Sequence, residues 1–141
     1  MVDSKRKGAD FERKIAKLLT DKLKQGIFKR VAGSGAFGTI SDEPYFMGDL
    51  NGEVYGLPRR FKLEAKIGYG GSTQMTLKKK WLDKILEEAS HTNSIPALVG
   101  RFSGSRDGIE EFVILSIDDF IYLLNIITTL KQDIDWLSEV E

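Results

Sequence analysis

Residues 60–68 read RFKLEAKIG, and the alternation in this stretch decides the architecture. Successive side chains of a β-strand point to opposite faces. Phe61, Leu63, Ala65 and Ile67 therefore share one face, which a core must cover, and Lys62, Glu64 and Lys66 share the other. Half-buried strands routinely alternate apolar with charged residues, so Glu64-x-Lys66 taken alone defines no chemistry. Its meaning depends on what the flanking segments bring to the charged face.

On the N-terminal side, residues 5–25 carry a helical period in which Phe11, Ile15, Leu18, Leu19 and Leu23 form one apolar stripe. Gly26 ends that helix. Glu12 borders the stripe rather than opposing it, and a carboxylate there costs free energy unless it reaches solvent or finds a partner. FKRV at 28–31 reads as a strand, and DLNGEVYGLPRR from Asp49 onward is rich in turn residues. Its Asn51-Gly52 pair is a hairpin signal. On the C-terminal side, residues 76–90 predict a helix capped by Thr76, with Trp81, Leu82, Ile85, Leu86 and Ala89 as its apolar stripe. ALVGRF at 97–102 and EEFVILS at 110–116 read as strands around the turn SGSRDG, and a capping box from Ser116 to Asp119 opens a last amphipathic helix. The order of helix, strands, helix, strands and helix predicts an α/β fold with a mixed sheet flanked by helices.

Composition narrows the function. The 141 residues suit one domain, and 41% hydrophobic residues suffice for a core. The absence of cysteine excludes disulfides and thiolate metal sites. The charged start MVDSKRKGADFERK is unlike a signal peptide, and IDDFIYLLNIITTL is too short and too charged at its start to span a bilayer. The expectation is a cytoplasmic protein with no membrane partner. Net charge is zero, yet residues 1–106 hold 20 Lys and Arg against 12 Asp and Glu, and residues 107–141 hold 9 acids with Lys131 as the sole base. The basic residues cluster at Lys5, Arg6 and Lys7; Lys29 and Arg30; Arg59, Arg60 and Lys62; and Lys78 to Lys80. They are either solvated surface or a surface that tracks phosphates.

Residues 33–40, GSGAFGTI, spell G-x-G-x-x-G and raise the question of a nucleotide. A kinase needs a second lobe with H-R-D and D-F-G, and neither string occurs. A dinucleotide fingerprint needs the glycine turn to open a helix. Here TISDEPYFMGD follows, without a helical apolar period. No nucleotide cofactor is expected.

Asp49, Glu64 and Lys66 acquire a joint reading. Two carboxylates converging at one end of a sheet hold a hard divalent cation through oxygen ligands. Such a cation activates a water and neutralises charge building on a phosphodiester. Lys66, two residues along the same strand face, stands beside that water or the developing charge. The Ala65 carbonyl is a candidate further ligand, and Glu12 gains a partner if it faces this cluster.

Asp49 followed by Glu64-Ala65-Lys66 resembles the PD-(D/E)xK nuclease superfamily. Within it, the chain is similar to the archaeal-type Holliday junction resolvases, including viral and phage members, over roughly residues 5–116. KGADFERKIAKLL resembles the opening helix of that family, with Glu12 at its active-site glutamate, and VAGSG resembles its glycine loop, with Ser34 at its catalytic serine. GDL supplies Asp49, and LEAK supplies Glu64 and Lys66.

The resemblance implies a restriction-endonuclease-like core over residues 1–116. It implies catalytic Glu12, Ser34, Asp49, Glu64 and Lys66, with Asp49, Glu64 and Glu12 holding Mg²⁺ and Mn²⁺ able to substitute. The substrate it implies is branched double-stranded DNA, the four-way junction, cut by a homodimer. DNA contacts are expected from Lys5, Arg6, Lys7, Arg30, Gly33, Ser34, Gly35, Arg59, Arg60, Ser72, Gln74, Lys78 and Lys79. Phe37, Tyr45 and Phe46 either stack on exposed bases or pack the loop, and His91 is expected at a helix C-terminus. Residues 117–141 form an acidic helix that either docks on the same domain or serves the dimer through Phe120, Leu124, Ile127 and Leu130. Another nuclease of the superfamily, nicking or restriction-type, and a non-catalytic branched-DNA-binding protein are the rival readings.

Overall fold

A computed structural model describes residues 4–31, 49–68, 73–104 and 108–140, with side chains from Arg6 onward. Lys5's side chain, Gly33, Ser34, Gly35, Phe37, Tyr45, Phe46 and Ser72 lie outside the described residues. The elements are α1 (Ser4–Lys22), β1 (Gly26–Arg30), β2 (Leu50–Val54), β3 (Phe61–Ile67), α2 (Lys79–Ser90), β4 (Ile95–Arg101), β5 (Glu111–Ile114) and α3 (Ile117–Val140). One five-stranded sheet holds them in the order β1-β2-β3-β4-β5. Strand β2 is antiparallel to both β1 and β3, β3 and β4 are parallel, and β5 returns antiparallel to β4. Parallel neighbours need a crossover, and α2 supplies it. This is the expected mixed sheet with flanking helices.

The core-facing side of β3 is as the alternation predicts. Leu63 joins Phe28, Leu50, Ala97 and Val99 under Phe11 and Ile15 of α1, with Phe61, Ala65 and Ile67 packed against that cluster. Leu18 departs from the expected stripe and is 40% exposed, because Phe11, Ile15 and Leu19 already span the face that meets the sheet. The charged side of β3 does not face solvent. Helix α2 lies across β3 and β4, and Lys62 and Glu64 are each only 2% exposed.

Two local expectations are corrected. Asn51-Gly52 is no hairpin turn: both residues lie inside β2, where Gly52 pairs with Phe28 on one side and Phe61 on the other. A Cβ on Gly52 would stand 2.1 Å from the Phe28 ring, so this glycine admits the ring. The chain reverses after Val54, through Tyr55 and Gly56, whose φ of 90° suits glycine. Thr76 is also no cap. Helix α2 begins at Lys79 after an extended Lys78 that makes no side-chain capping bond. Leu77 is exposed and so gives an earlier turn nothing to bury, while Met75 packs over Gly68 at the end of β3 and holds the preceding segment against the sheet.

The capping box of α3 forms as read: the Asp119 amide donates to Ser116 Oγ at 3.1 Å, and Ser116 Oγ donates to Asp119 Oδ2 at 2.9 Å. Beyond that anchor, α3 buries no residue. Among the described residues, no helix is long and apolar enough to cross a membrane.

Candidate functional site

Asp49 is fixed by its own backbone. Its amide donates to the Leu63 carbonyl at 3.1 Å and its carbonyl accepts from the Val31 amide at 3.0 Å, which wedges it between the ends of β1 and β3. Its Oδ2 accepts the Ala65 amide at 2.9 Å, directing the carboxylate along β3 toward the residues after Leu63. Asp49 is 8% exposed. The register that buries Leu63 against α1 turns Glu64 to the opposite face, beneath α2.

Glu64 lies between two cations. Lys66 Nζ stands 3.2 Å from Oε1 and Lys84 Nζ stands 3.4 Å from Oε2. Burial pushes the Glu64 carboxyl above its ordinary range and the Asp49 charge adds to the rise, while Lys84 and Lys66 oppose it. The Lys66 ammonium also lies 5.0 Å from the centre of the Trp81 ring, and its side chain is 32% exposed, so it keeps access to the outside.

Glu12 reaches the same neighbourhood from α1. Burial raises its carboxyl and the charge of Asp49 raises it further, and a hydrogen bond from Arg30 works in the opposite direction. That bond, Arg30 Nε to Glu12 Oε2, is 2.5 Å long. The sequence-predicted carboxylates Glu12, Asp49 and Glu64 thus sense one another's charge. Among the described residues, however, no group of three or more His, Cys, Asp or Glu side chains gathers tightly enough to hold a metal ion. Glu12 is paired with Arg30, whose side chain is 26% exposed.

Sequence reasoning missed Lys84 and Glu88. Burial works against the Lys84 charge, yet Glu64, Glu88 and Asp49 together hold its ammonium above the usual lysine range. Burial raises the Glu88 carboxyl, and Glu88 Oε2 is a buried oxygen without a hydrogen-bond partner among the described residues. A signal existed. Both residues flank Ile85 and Ala89, the buried positions of α2, as Glu12 flanks Ile15.

Of the other expected DNA contacts, Arg59 is occupied elsewhere. Its Nε and Nη2 donate to the carbonyls of Asn93 and Ser94 at 3.0 Å each, and its guanidinium sits 4.9 Å from the Tyr122 ring centre and 3.9 Å from Asp119. It clamps the loop after α2 to the start of α3. Arg60 is exposed opposite Glu53 at 3.6 Å. Lys79 pairs along its helix with Asp83 at 2.8 Å, and Lys78 lies 5.6 Å from the Trp81 ring centre. Arg6, Lys7 and Gln74 are exposed. His91 closes α2 through its backbone, as expected.

A buried aspartate at a strand end, an E-x-K strand beside it, and a mixed sheet between helices together define the PD-(D/E)xK class of nucleases. The chain belongs to one family of that class, described as "Phage putative PDDEXK endonuclease", which matches residues 3–136. The match supports the superfamily and an endonuclease, and lends no support to the narrower archaeal-type resolvase assignment. No curated protein matches the chain.

Proposed function

We propose that this endonuclease hydrolyses DNA phosphodiesters with a divalent cation, Mg²⁺ or Mn²⁺, held at Asp49 and Glu64, and that four-way junctions are its substrate. The observation that carries the metal reading is Glu64: a carboxylate 2% exposed, with Asp49 beside it and a lysine on each oxygen. Such a donor pair fits a hard cation, since Mg²⁺ takes one or two carboxylates and fills its remaining positions with water and substrate phosphate. The cation supplies a more acidic water and neutralises phosphoryl charge.

The side chains divide the rest of the work. Asp49 and Glu64 act ionised, and their fixed backbones spare reorganisation. Lys66, held by Glu64 and the Trp81 ring, donates hydrogen bonds to a non-bridging phosphoryl oxygen as charge builds there. Glu12 and Arg30 form a neutral pair behind Asp49 and shape its field. Exposed Lys78 and Lys79, at the start of the helix that carries Trp81, receive the flanking backbone phosphates.

The junction preference rests on the order of the helix glutamate, G-S-G loop, aspartate and E-x-K motifs. Cleavage of an end-labelled immobile four-way junction beside a matched linear duplex tests it, with Mg²⁺ or EDTA and with Asp49→Asn and Lys66→Ala alongside. Paired symmetric nicks in the junction alone, lost with EDTA and in both variants, are expected. Cutting of both substrates would keep the nuclease and remove the junction preference. A folded chain that binds the junction without cutting would refute catalysis.

A further inference from the structure

The register of the first three strands sets Lys29, Asn51 and Lys62 side by side in one row across the sheet. Phe28, Leu50 and Leu63 fill the core under α1, so the row lies on the opposite face. The loop after α2 brings Thr92 and Ser94 to it, and with Arg60 they enclose a pocket of about 150 Å³. A cavity of that size accepts a group as large as benzene, so a phosphate fits.

Floor and rim differ. Lys62 and Ser94 are 2% and 3% exposed, whereas Lys29 and Arg60 reach solvent. Three cations line the pocket against one carboxylate, Glu53, which Arg60 already approaches at 3.6 Å. Lys62 Nζ donates to Asn51 Oδ1 at 3.0 Å. An ammonium has several N–H donors and can hold this amide and an anion together. Burial disfavours the Lys62 charge, and the Glu88 carboxylate that favours it is shared with Lys84 at 3.9 Å.

The hydroxyls suit the same ligand. Thr92 Oγ1 and Ser94 Oγ lie 2.8 Å apart, so one donates to the other. The accepting hydroxyl keeps its own proton to donate elsewhere. This wall is fixed by its backbone. The Ser94 amide donates to the Ala89 carbonyl at 2.9 Å, and Arg59 Nη2 donates to the Ser94 carbonyl at 3.0 Å. Donors held in place spare ordering on binding.

We propose that this pocket binds a phosphomonoester, the terminal phosphate of a nucleic-acid strand. Lys62 and the hydroxyls take the phosphate at the floor, and Lys29 and Arg60 meet the adjoining backbone at the rim. A terminal group can enter so recessed a floor, whereas a phosphate inside a duplex backbone is flanked on both sides. Lys62 precedes Glu64 by two residues on the same face of β3, roughly 6–7 Å along the strand, so a bound end adjoins the Asp49–Glu64 site. The choice of nucleic acid rests on the endonuclease reading above, and the phosphate chemistry does not. Free phosphate offers the same chemistry, and the test separates the two sources.

Isothermal titration calorimetry in EDTA tests it without cleavage, at about pH 7.5, where a phosphomonoester is mostly dianionic. The probes are inorganic phosphate and one short single-stranded oligonucleotide phosphorylated at its 5′ end, at its 3′ end or at neither. A phosphorylated end is expected to bind at least about tenfold tighter than a bare one, the worth of one charge-assisted hydrogen bond. Lys62→Met, similar in volume and uncharged, is expected to abolish that preference. Should this buried variant fail to fold, the exposed pair Lys29→Ala and Arg60→Ala replaces it, with the preference expected to shrink severalfold. Lys79→Ala, outside the pocket, is expected to keep it. Phosphate binding without any end preference would assign the pocket to the free ion and overturn the strand end. Neither binding nor preference, or a preference untouched by the pocket variants, would overturn the site. A preference found in a chain that cuts no DNA would sink the nuclease reading and leave the pocket standing.

Discussion

Lys66 and Lys84 each engage one oxygen of Glu64, but they differ in origin and in duty. Lys66 shares a strand with Glu64 and is the cation that sequence pattern reveals. Lys84 comes from the crossover helix, 20 positions along the chain, and no motif spacing announces it. Its contribution is electrostatic: it lowers a carboxyl that burial and Asp49 both raise. Lys84→Met is therefore expected to lift the Glu64 carboxyl further and move the acidic limb of the pH–cleavage profile to higher pH, with the alkaline limb unmoved. An unshifted acidic limb would remove Lys84 from the site's electrostatics. Arg59 is the converse case, a basic residue that charge clustering places on the DNA and that geometry places in a clamp. Arg59→Ala is expected to lower the melting temperature while leaving the salt dependence of DNA binding unchanged. Removing a genuine phosphate contact at Lys78 or Lys79 should instead reduce the slope of log K against log salt by about 1.

Among the elements, β3 and α1 were the most legible, because each has one buried face and one period to read. Strand β2 was misread for a physical reason. Asn-Gly is the strongest short-range hairpin signal when judged locally, and only the cross-strand neighbour shows that Gly52 serves Phe28 instead. Asn51 there is buried, and its Oδ1 accepts from buried Lys62 at 3.0 Å. A turn residue would have stayed in water. Gly52→Ala sets a methyl group against the Phe28 ring, and overpacking of this kind costs about 1–3 kcal/mol. The loss should be partly recovered when Phe28 is shortened to Leu. A double-mutant cycle by urea unfolding measures the coupling. Additive losses would mean that the ring moves aside and that glycine is needed at 52 for another reason. The start of α2 was misplaced for a related cause, since Thr76 is a good cap by type but Leu77 after it stays exposed and no buried apolar residue follows before Ile85.

At the scale of the whole molecule, the carboxylates under and beside α2 set the pH dependence of stability. Burial raises the carboxyls of Glu64, Glu12 and Glu88 above 4.5. A group whose pKa is higher folded than unfolded binds its proton more tightly in the native state. Its stabilisation is complete below the unfolded value and is lost as pH rises through the folded one. The metal-free chain should thus lose stability as pH climbs through the weakly acidic range toward neutrality, against the usual trend of salt-bridged acids. Lys62, lowered by burial, acts with opposite sign but in the alkaline range, outside this window. Divalent cations reverse the slope, because they bind the ionised carboxylates. At tenfold excess over the dissociation constant, a cation bound only by the native state adds about 1.4 kcal/mol. For a chain of this size, that corresponds to a rise of roughly 4–7 °C in melting temperature. Melting curves with Mg²⁺ and with EDTA should therefore coincide in acid, where the carboxyls are protonated, and diverge as pH rises through their raised folded values. Glu64→Gln removes the most deeply buried of the charges. Its metal-free form should melt at or above wild type at neutral pH, and Mg²⁺ should no longer raise it. If Mg²⁺ stabilises the variant as it does the wild type, the cation binds somewhere other than Glu64.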